Sequence, residues 1–251
     1  MGAGPADTLH LPGGSPVHRL PPQCKIAAVC CFVMLVVATP REAFPAFAAY
    51  ALLLACVAAA GRVPPRHLLK RMLIEVPFVA FAVLLPFVAE GPRTEVLGLS
   101  VEGLWGAWNI LAKGTLGVAA SVLLASTTQL RSLLRGLERL RLPPLLVQIA
   151  SFMLRYADVL AGELHRMRLA RLSRGFDARG PRHWGVLAKT AGALFIRCYE
   201  RGERVHLAML SRGGTGTMPR SDEEAATRAE WATAACLPLL ALLVCLGGWT
   251  L

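Results

Sequence analysis

Two stretches of the chain end in the same tripeptide, Ser173-Arg174-Gly175 and Ser211-Arg212-Gly213. Each closes a helix-like run, Arg168-Leu169-Ala170-Arg171-Leu172 before the first and Leu207-Ala208-Met209-Leu210 before the second. A guanidinium stays charged, and its planar fork can hold two acceptors at once. On two matched helix ends, such groups can grip carboxylates or helix C-terminal carbonyls of a partner. That is docking chemistry, not a reaction centre. One such end alone is ordinary. Arginine there meets the helix dipole, a gain of roughly 0.3–1 kcal/mol, and glycine is the usual stop. Two of them, on long neighbouring helices in a basic segment between apolar runs, carry the inference.

Residues for other chemistry are sparse. There is no G-x-x-x-x-G-K-[ST] run, and none of the lysines Lys25, Lys70, Lys113 and Lys189 follows a glycine. Lys189-Thr190 has no phosphate-cradling loop before it, so the chain is not expected to bind ATP itself. H-E-x-x-H and G-x-S-x-G are missing, and Asp7, Asp158, Asp177 and Asp222 stand apart. The histidines (His10, His18, His67, His165, His183 and His206) form no i, i+4 pair in a span. Glu163 and His165 point to different helix faces. The expectation is no catalytic residue, no metal site and no cofactor in this chain. Cys30, Cys31, Cys56, Cys236 and Cys245 lie in apolar runs, without a C-x-x-C pair, and read as packing thiols. Lys113 falls near the middle of an apolar run, where a cation must face the bundle and find carbonyls or a partner.

The elements that position these groups follow from hydropathy. The chain has 251 residues, 55% of them hydrophobic, with a mean hydropathy of +0.50. That is too apolar for an ordinary soluble domain. Runs without charge cover Ile26–Pro40, Ala43–Gly61, Val76–Ala89, Gly114–Leu130 and Trp231–Leu251. A bilayer core takes about 20 helical residues, which the second and last runs supply. The first run is short and has no small-residue cleavage site after it, so no cleaved signal peptide is expected. Net charge is +11, and its placement reads as topology. Gly61–Met72 carries Arg62, Arg66, Lys70 and Arg71 with no acid, whereas Glu90–Glu102 carries three acids and only Arg93. The first is expected inside and the second outside. Arg19 and Lys25 put the leader inside as well, and the basic 127–230 segment follows.

The expected class is an all-α membrane protein, with about five transmembrane helices and a cytoplasmic domain of long helices. A mobile leader covers 1–22, four spans 23–126, the cytoplasmic helices 127–230 and a last span 231–251. Leu130, Leu133, Leu134, Leu137 and Leu140 form one apolar stripe on an amphipathic helix. Leu145–Ser173 and Gly185–Ser211 read as the long helices, stopped by Gly175 and Gly213. Ser221, with Glu224 three residues on, predicts a capping box before the last helix.

With these residues in place, the chain resembles the T component, the transmembrane coupling subunit, of energy-coupling factor importers. The likeness is to the cobalt/nickel type, often called CbiQ. That family ends two cytoplasmic coupling helices in an X-Arg-X signature, and Ser173-Arg174-Gly175 and Ser211-Arg212-Gly213 stand there. Ala178-Arg179-Gly180 also fits the first signature but sits beside a turn at Gly180-Pro181. His18-Arg19-Leu20-Pro21, Ser151-Phe152-Met153-Leu154-Arg155-Tyr156 and Glu200-Arg201-Gly202-Glu203-Arg204 are similar too, over residues 16–250. The resemblance implies a non-catalytic subunit in a bacterial or archaeal cell membrane. It implies two separate ATPases that use ATP and Mg²⁺, docked on Ser173, Arg174, Gly175, Ser211, Arg212 and Gly213. It also implies a capture subunit in the membrane, and uptake of cobalt or nickel. A T component for a vitamin such as biotin is the nearest alternative, then a self-contained permease. Nucleic acid is not an expected partner.

Overall fold

The computed structural model describes residues 11, 13–88, 100–176, 183–214 and 226–250. Its elements are helices: α1 (Pro16–Arg19), α2 (Pro22–Ala38), α3 (Phe44–Ala60), α4 (Pro65–Met72), α5 (Val76–Val88), α6 (Val101–Thr127), α7 (Leu130–Arg139), α8 (Pro144–Ser173), α9 (Trp184–Ser211) and α10 (Arg228–Thr250). Proline opens α1, α2, α4 and α8, where its fixed φ suits the first turn and its missing N–H costs nothing.

The protein is an all-α membrane protein. Among the described residues, four helices are long and apolar enough to cross a bilayer: Pro65–Val88, Val101–Thr127, Pro144–Ser173 and Arg228–Trp249. α2 and α3 have 17 residues each, at the short end of the spanning range. Two details differ from the sequence reading. The basic Gly61–Met72 stretch is not all loop, because Pro65 starts α4, which runs on through a 3-10 turn at Leu73–Glu75 into α5. And α8, read as cytoplasmic, also meets the length and hydropathy of a span through its apolar first half. The acidic 90–102 loop lies outside the described residues as far as 99, as do Arg179 and the Ser221–Glu224 cap. The cap of α10 that is described is Thr227 with Glu230. Thr227 N–H donates to Glu230 Oε2 (2.7 Å), and Glu230 N–H returns a bond to Thr227 Oγ1 (3.3 Å).

The chain divides into two compact units. The larger, Leu9–Leu140 with Glu224–Leu251, holds α1 to α7 and α10. Its core is Phe32, Val36, Phe47, Tyr50, Leu54, Leu116, Leu123 and Ala241. Tyr50, fully buried, joins three helices. Its hydroxyl meets Thr39 Oγ1 at 2.8 Å and donates to the Ala241 carbonyl at 3.4 Å. Phe78, Phe81, Phe87 and Val88 of α5 are exposed, as lipid-facing side chains must be. Small residues let helices close up. A methyl added at Gly248 would meet Ala43 Cβ at 3.2 Å, and one at Gly114 would meet Glu75 Oε1 at 2.9 Å. The leucine stripe of α7 is half-buried, and Gly136 brings α7 against Pro22, Gln23 and Ile26 of α2. Lys113 finds a carbonyl, as expected: its Nζ donates to Val37 O at 2.8 Å. The smaller unit contains α8 and α9.

Candidate coupling site

The two Ser-Arg-Gly ends have the same geometry, bond for bond. Arg174 closes α8 at φ −87°, ψ 12°, and Arg212 closes α9 at φ −96°, ψ 14°. The glycines that follow take positive φ, 74° at Gly175 and 77° at Gly213. Gly175 N–H donates to Leu172 O (2.9 Å) and Phe176 N–H to Arg171 O (3.1 Å). In α9, Gly213 N–H donates to Leu210 O (3.0 Å) and Gly214 N–H to Met209 O (2.8 Å). This pair of bonds is a Schellman stop, in which a left-handed residue turns the chain back on the last carbonyls. The serines match too. Ser173 Oγ donates to Ala170 O at 3.1 Å, and Ser211 Oγ to Ala208 O at 3.0 Å.

Each residue of the tripeptide thus has a local reason. Serine takes up a carbonyl of the last turn, glycine supplies the left-handed stop, and the arginine between them is left exposed. Both Arg174 and Arg212 are exposed, and among the described residues neither has a hydrogen bond from its guanidinium. A charged, planar donor set is held on each rigid helix end, ready for a carboxylate.

Sequence reasoning missed what ties α8 to α9. Glu163 on α8 pairs with Arg166 one turn on and with Arg197 across on α9. Arg171 Nη1 donates to Thr190 Oγ1 at 3.1 Å. Phe176 meets the His183 ring edge-on at 5.3 Å. The one signal was Glu163 itself, an acid in a stretch that also carries Arg155, Arg166, Arg168, Arg171 and Arg174. Among the described residues no three His, Cys, Asp or Glu side chains gather as a metal site.

Known proteins resemble this chain over most of its length. The family described as cobalt transport protein, CbiQ, matches residues 13–223. An uncharacterized protein of Methanocaldococcus jannaschii is 29% identical over 167 residues, 62% of this chain and 57% of its own. The energy-coupling factor transporter transmembrane protein EcfT of Thermanaerovibrio acidaminovorans is 31% identical over 231 residues, 82% of this chain and 83% of that protein. The cobalt transport protein CbiQ of Rhodobacter capsulatus is 28% identical over 158 residues, 63% and 64%. The chain spans less than two thirds of the first and third of these relatives. With a match over most of its length, the chain belongs to the CbiQ cobalt transport protein family.

Proposed function

We propose that this chain is the T component of an energy-coupling factor importer, passing the motion of a separate ATPase pair to a membrane capture subunit. The observation that carries this reading is the matched pair of Schellman ends with exposed Arg174 and Arg212. Two equivalent grips suit two equivalent sockets, as a pair of ATPases presents. The rest of the smaller unit fits a lever. α8 has 30 residues and α9 has 28, and Glu163, Arg197, Arg171 and Thr190 tie them together. A push on either arginine would then move both helices.

The chain itself catalyses nothing in this scheme. ATP and Mg²⁺ belong to the partner subunits, and coupling needs only that the arginines stay seated while the sockets move. The α8–α9 unit faces the cytoplasm in this reading. The family description and the CbiQ relative support cobalt or nickel as the substrate, held by the capture subunit. The EcfT relative keeps a vitamin as the second reading, because that name specifies no metal.

Copurification from membranes tests the proposal. The chain should bring an ATPase pair and a capture subunit with it, and cells carrying the complex should accumulate radiolabelled cobalt or nickel. The Arg174→Ala/Arg212→Ala double variant should lose the ATPases. Retention of the ATPases by the double variant, or transport by the chain alone, overturns the assignment. Accumulation of labelled biotin and not of metal selects the second reading.

A further inference from the structure

Two recesses of the larger unit meet at Leu20 and Thr233, which line both. The first, about 350 Å³, lies among α2, α3, α6 and α10. Ala28, Leu53, Val57, Leu124 and Leu237 are typical of its wall, and the polar side chains there are Lys25, Thr127 and Thr233. The second, about 490 Å³, holds one cation and one anion, Arg19 and Glu230.

Lys25 offers nothing to a ligand. Its three ammonium protons go to His18 O (3.3 Å), Thr127 O (3.1 Å) and Thr128 Oγ1 (3.1 Å). Arg19 is exposed and has no hydrogen bond or ion pair among the described residues. Glu230 is half-buried, and both bonds it accepts in the α10 cap, from Thr227 N–H and Thr227 Oγ1, fall on Oε2. Its Oε1 accepts none among the described residues. The recess therefore joins an apolar slot to a mouth with a guanidinium and a carboxylate oxygen that are unpaired among the described residues.

We infer that this recess holds a zwitterionic phospholipid with a primary amine headgroup. An acyl chain fills the apolar slot, the phosphate meets Arg19, and the ammonium meets Glu230. Charge complementarity selects this lipid over an anionic one. A headgroup without the ammonium satisfies Arg19 but leaves Glu230 with no cation to pair with. Charged side chains near the ends of membrane helices reach the headgroup layer, where this pair can meet a lipid's phosphate and ammonium. The inference rests on the membrane unit alone and not on the assignment of the transporter.

The test is native mass spectrometry of the full-length chain released from detergent, offered equal phosphatidylethanolamine and phosphatidylglycerol of the same acyl length. The wild-type chain should retain the ethanolamine lipid about three-fold over the glycerol lipid, the scale of one exposed charged contact. Glu230→Gln keeps an acceptor for the Thr227 cap and should erase the preference. Arg19→Gln, at an exposed position on which folding does not rest, should lower retention of both lipids. Ala60→Trp, on the slot wall, should abolish retention while helix content stays unchanged. Equal retention by the wild-type chain, preference for the anionic lipid, or a wild-type pattern in Arg19→Gln and Glu230→Gln overturns the inference.

Discussion

Lys25 and Lys113 cap each other's helices. Lys25, near the start of α2, donates to Thr127 O and Thr128 Oγ1 at the end of α6, at 3.1 Å each. Lys113, on α6, donates to Val37 O near the end of α2, at 2.8 Å. The last carbonyls of a helix have no partner within it and carry its negative dipole end, so an ammonium suits them twice over. In a bilayer, where no water can take those carbonyls, the need is sharper. α2 and α6 therefore run antiparallel, and each supplies the cation that the other's end requires.

The two lysines should not be equally important. Lys25 is buried and serves three acceptors, counting His18 O. Lys113 is half-buried and serves one. Loss of a charged hydrogen bond that leaves a buried acceptor unmade costs about 1.5–3 kcal/mol. Lys25→Met should lower the apparent unfolding temperature in detergent clearly. Lys113→Met should be near neutral, because removing a charge from mid-helix returns part of an insertion cost of about 2.5–3.5 kcal/mol. A larger drop for Lys113→Met than for Lys25→Met would refute this ranking.

Close approach sets a second ranking. A methyl at Gly114 would meet the Oε1 end of the Glu75 side chain at 2.9 Å, a group that can swing aside. A methyl at Gly136 would meet Ile26 Cδ1 at 2.9 Å, with Gln23 N and Pro22 C each at 3.0 Å. Backbone cannot swing aside. Gly136→Ala should cost the larger part of the roughly 1–3 kcal/mol typical of overpacking, and Gly114→Ala less. Thermal unfolding of the two single variants decides it. Equal losses would mean that α7 shifts freely along α2.

Much of this arrangement was legible in the sequence, for identifiable reasons. The stops of α8 and α9 are local, since glycine after a periodic run needs no tertiary contact to be read. The bodies of α2, α3, α5 and α10 follow from charge-free runs. The reciprocal lysines were only half legible. Lys113 announced a need for a carbonyl, but Val37 lies 76 positions away and no pattern points to it. The cap of α10 that the structure describes, Thr227 with Glu230, has the same spacing as Ser221 with Glu224, so spacing alone does not choose between them. The helix of α4 was hidden by its charge. Arginine and lysine are good helix formers, and Pro65 at the first position favours the turn that follows.

The glycines of the two stops make a separable prediction. Nothing lies within 4 Å of a methyl placed at Gly175 or Gly213, so space is not the issue. The cost is the left-handed backbone, about 1–2 kcal/mol for an ordinary residue. Gly175→Ala and Gly213→Ala should fray the last turn and speed amide exchange at Phe176 and Gly214. Asparagine tolerates this conformation, so Gly→Asn at either site should exchange more slowly than Gly→Ala. Identical exchange in both pairs of variants would show that the stop is not held by its backbone.

Orientation can be checked directly. Cysteines placed at 66 and 95, in a functional variant without native thiols, should label from opposite sides of the membrane. The basic 61–72 stretch is expected inside and the acidic 90–102 stretch outside. Labelling of both from one side would reverse one of the two assignments and with it the five-span topology.

The arginines should separate charge from shape. Arg174 and Arg212 are exposed at their helix ends, so removing either should leave the fold intact. Truncating one partner of a desolvated charged contact costs about 2–5 kcal/mol at an interface. Arg174→Ala or Arg212→Ala alone should therefore weaken ATPase retention and lower uptake, and the double variant should lose both. Lysine keeps the charge but not the fork, so Arg→Lys should fall between arginine and alanine. Helical content and the unfolding temperature of the isolated chain should stay at the wild-type value throughout. The measurement is ATPase retained after pull-down from membranes, alongside uptake, for the two single alanine, two single lysine and double alanine variants. Lysine variants equal to wild type would mean that charge alone seats the ends. Full retention in the double alanine variant would mean that these arginines merely meet the dipoles of their own helices.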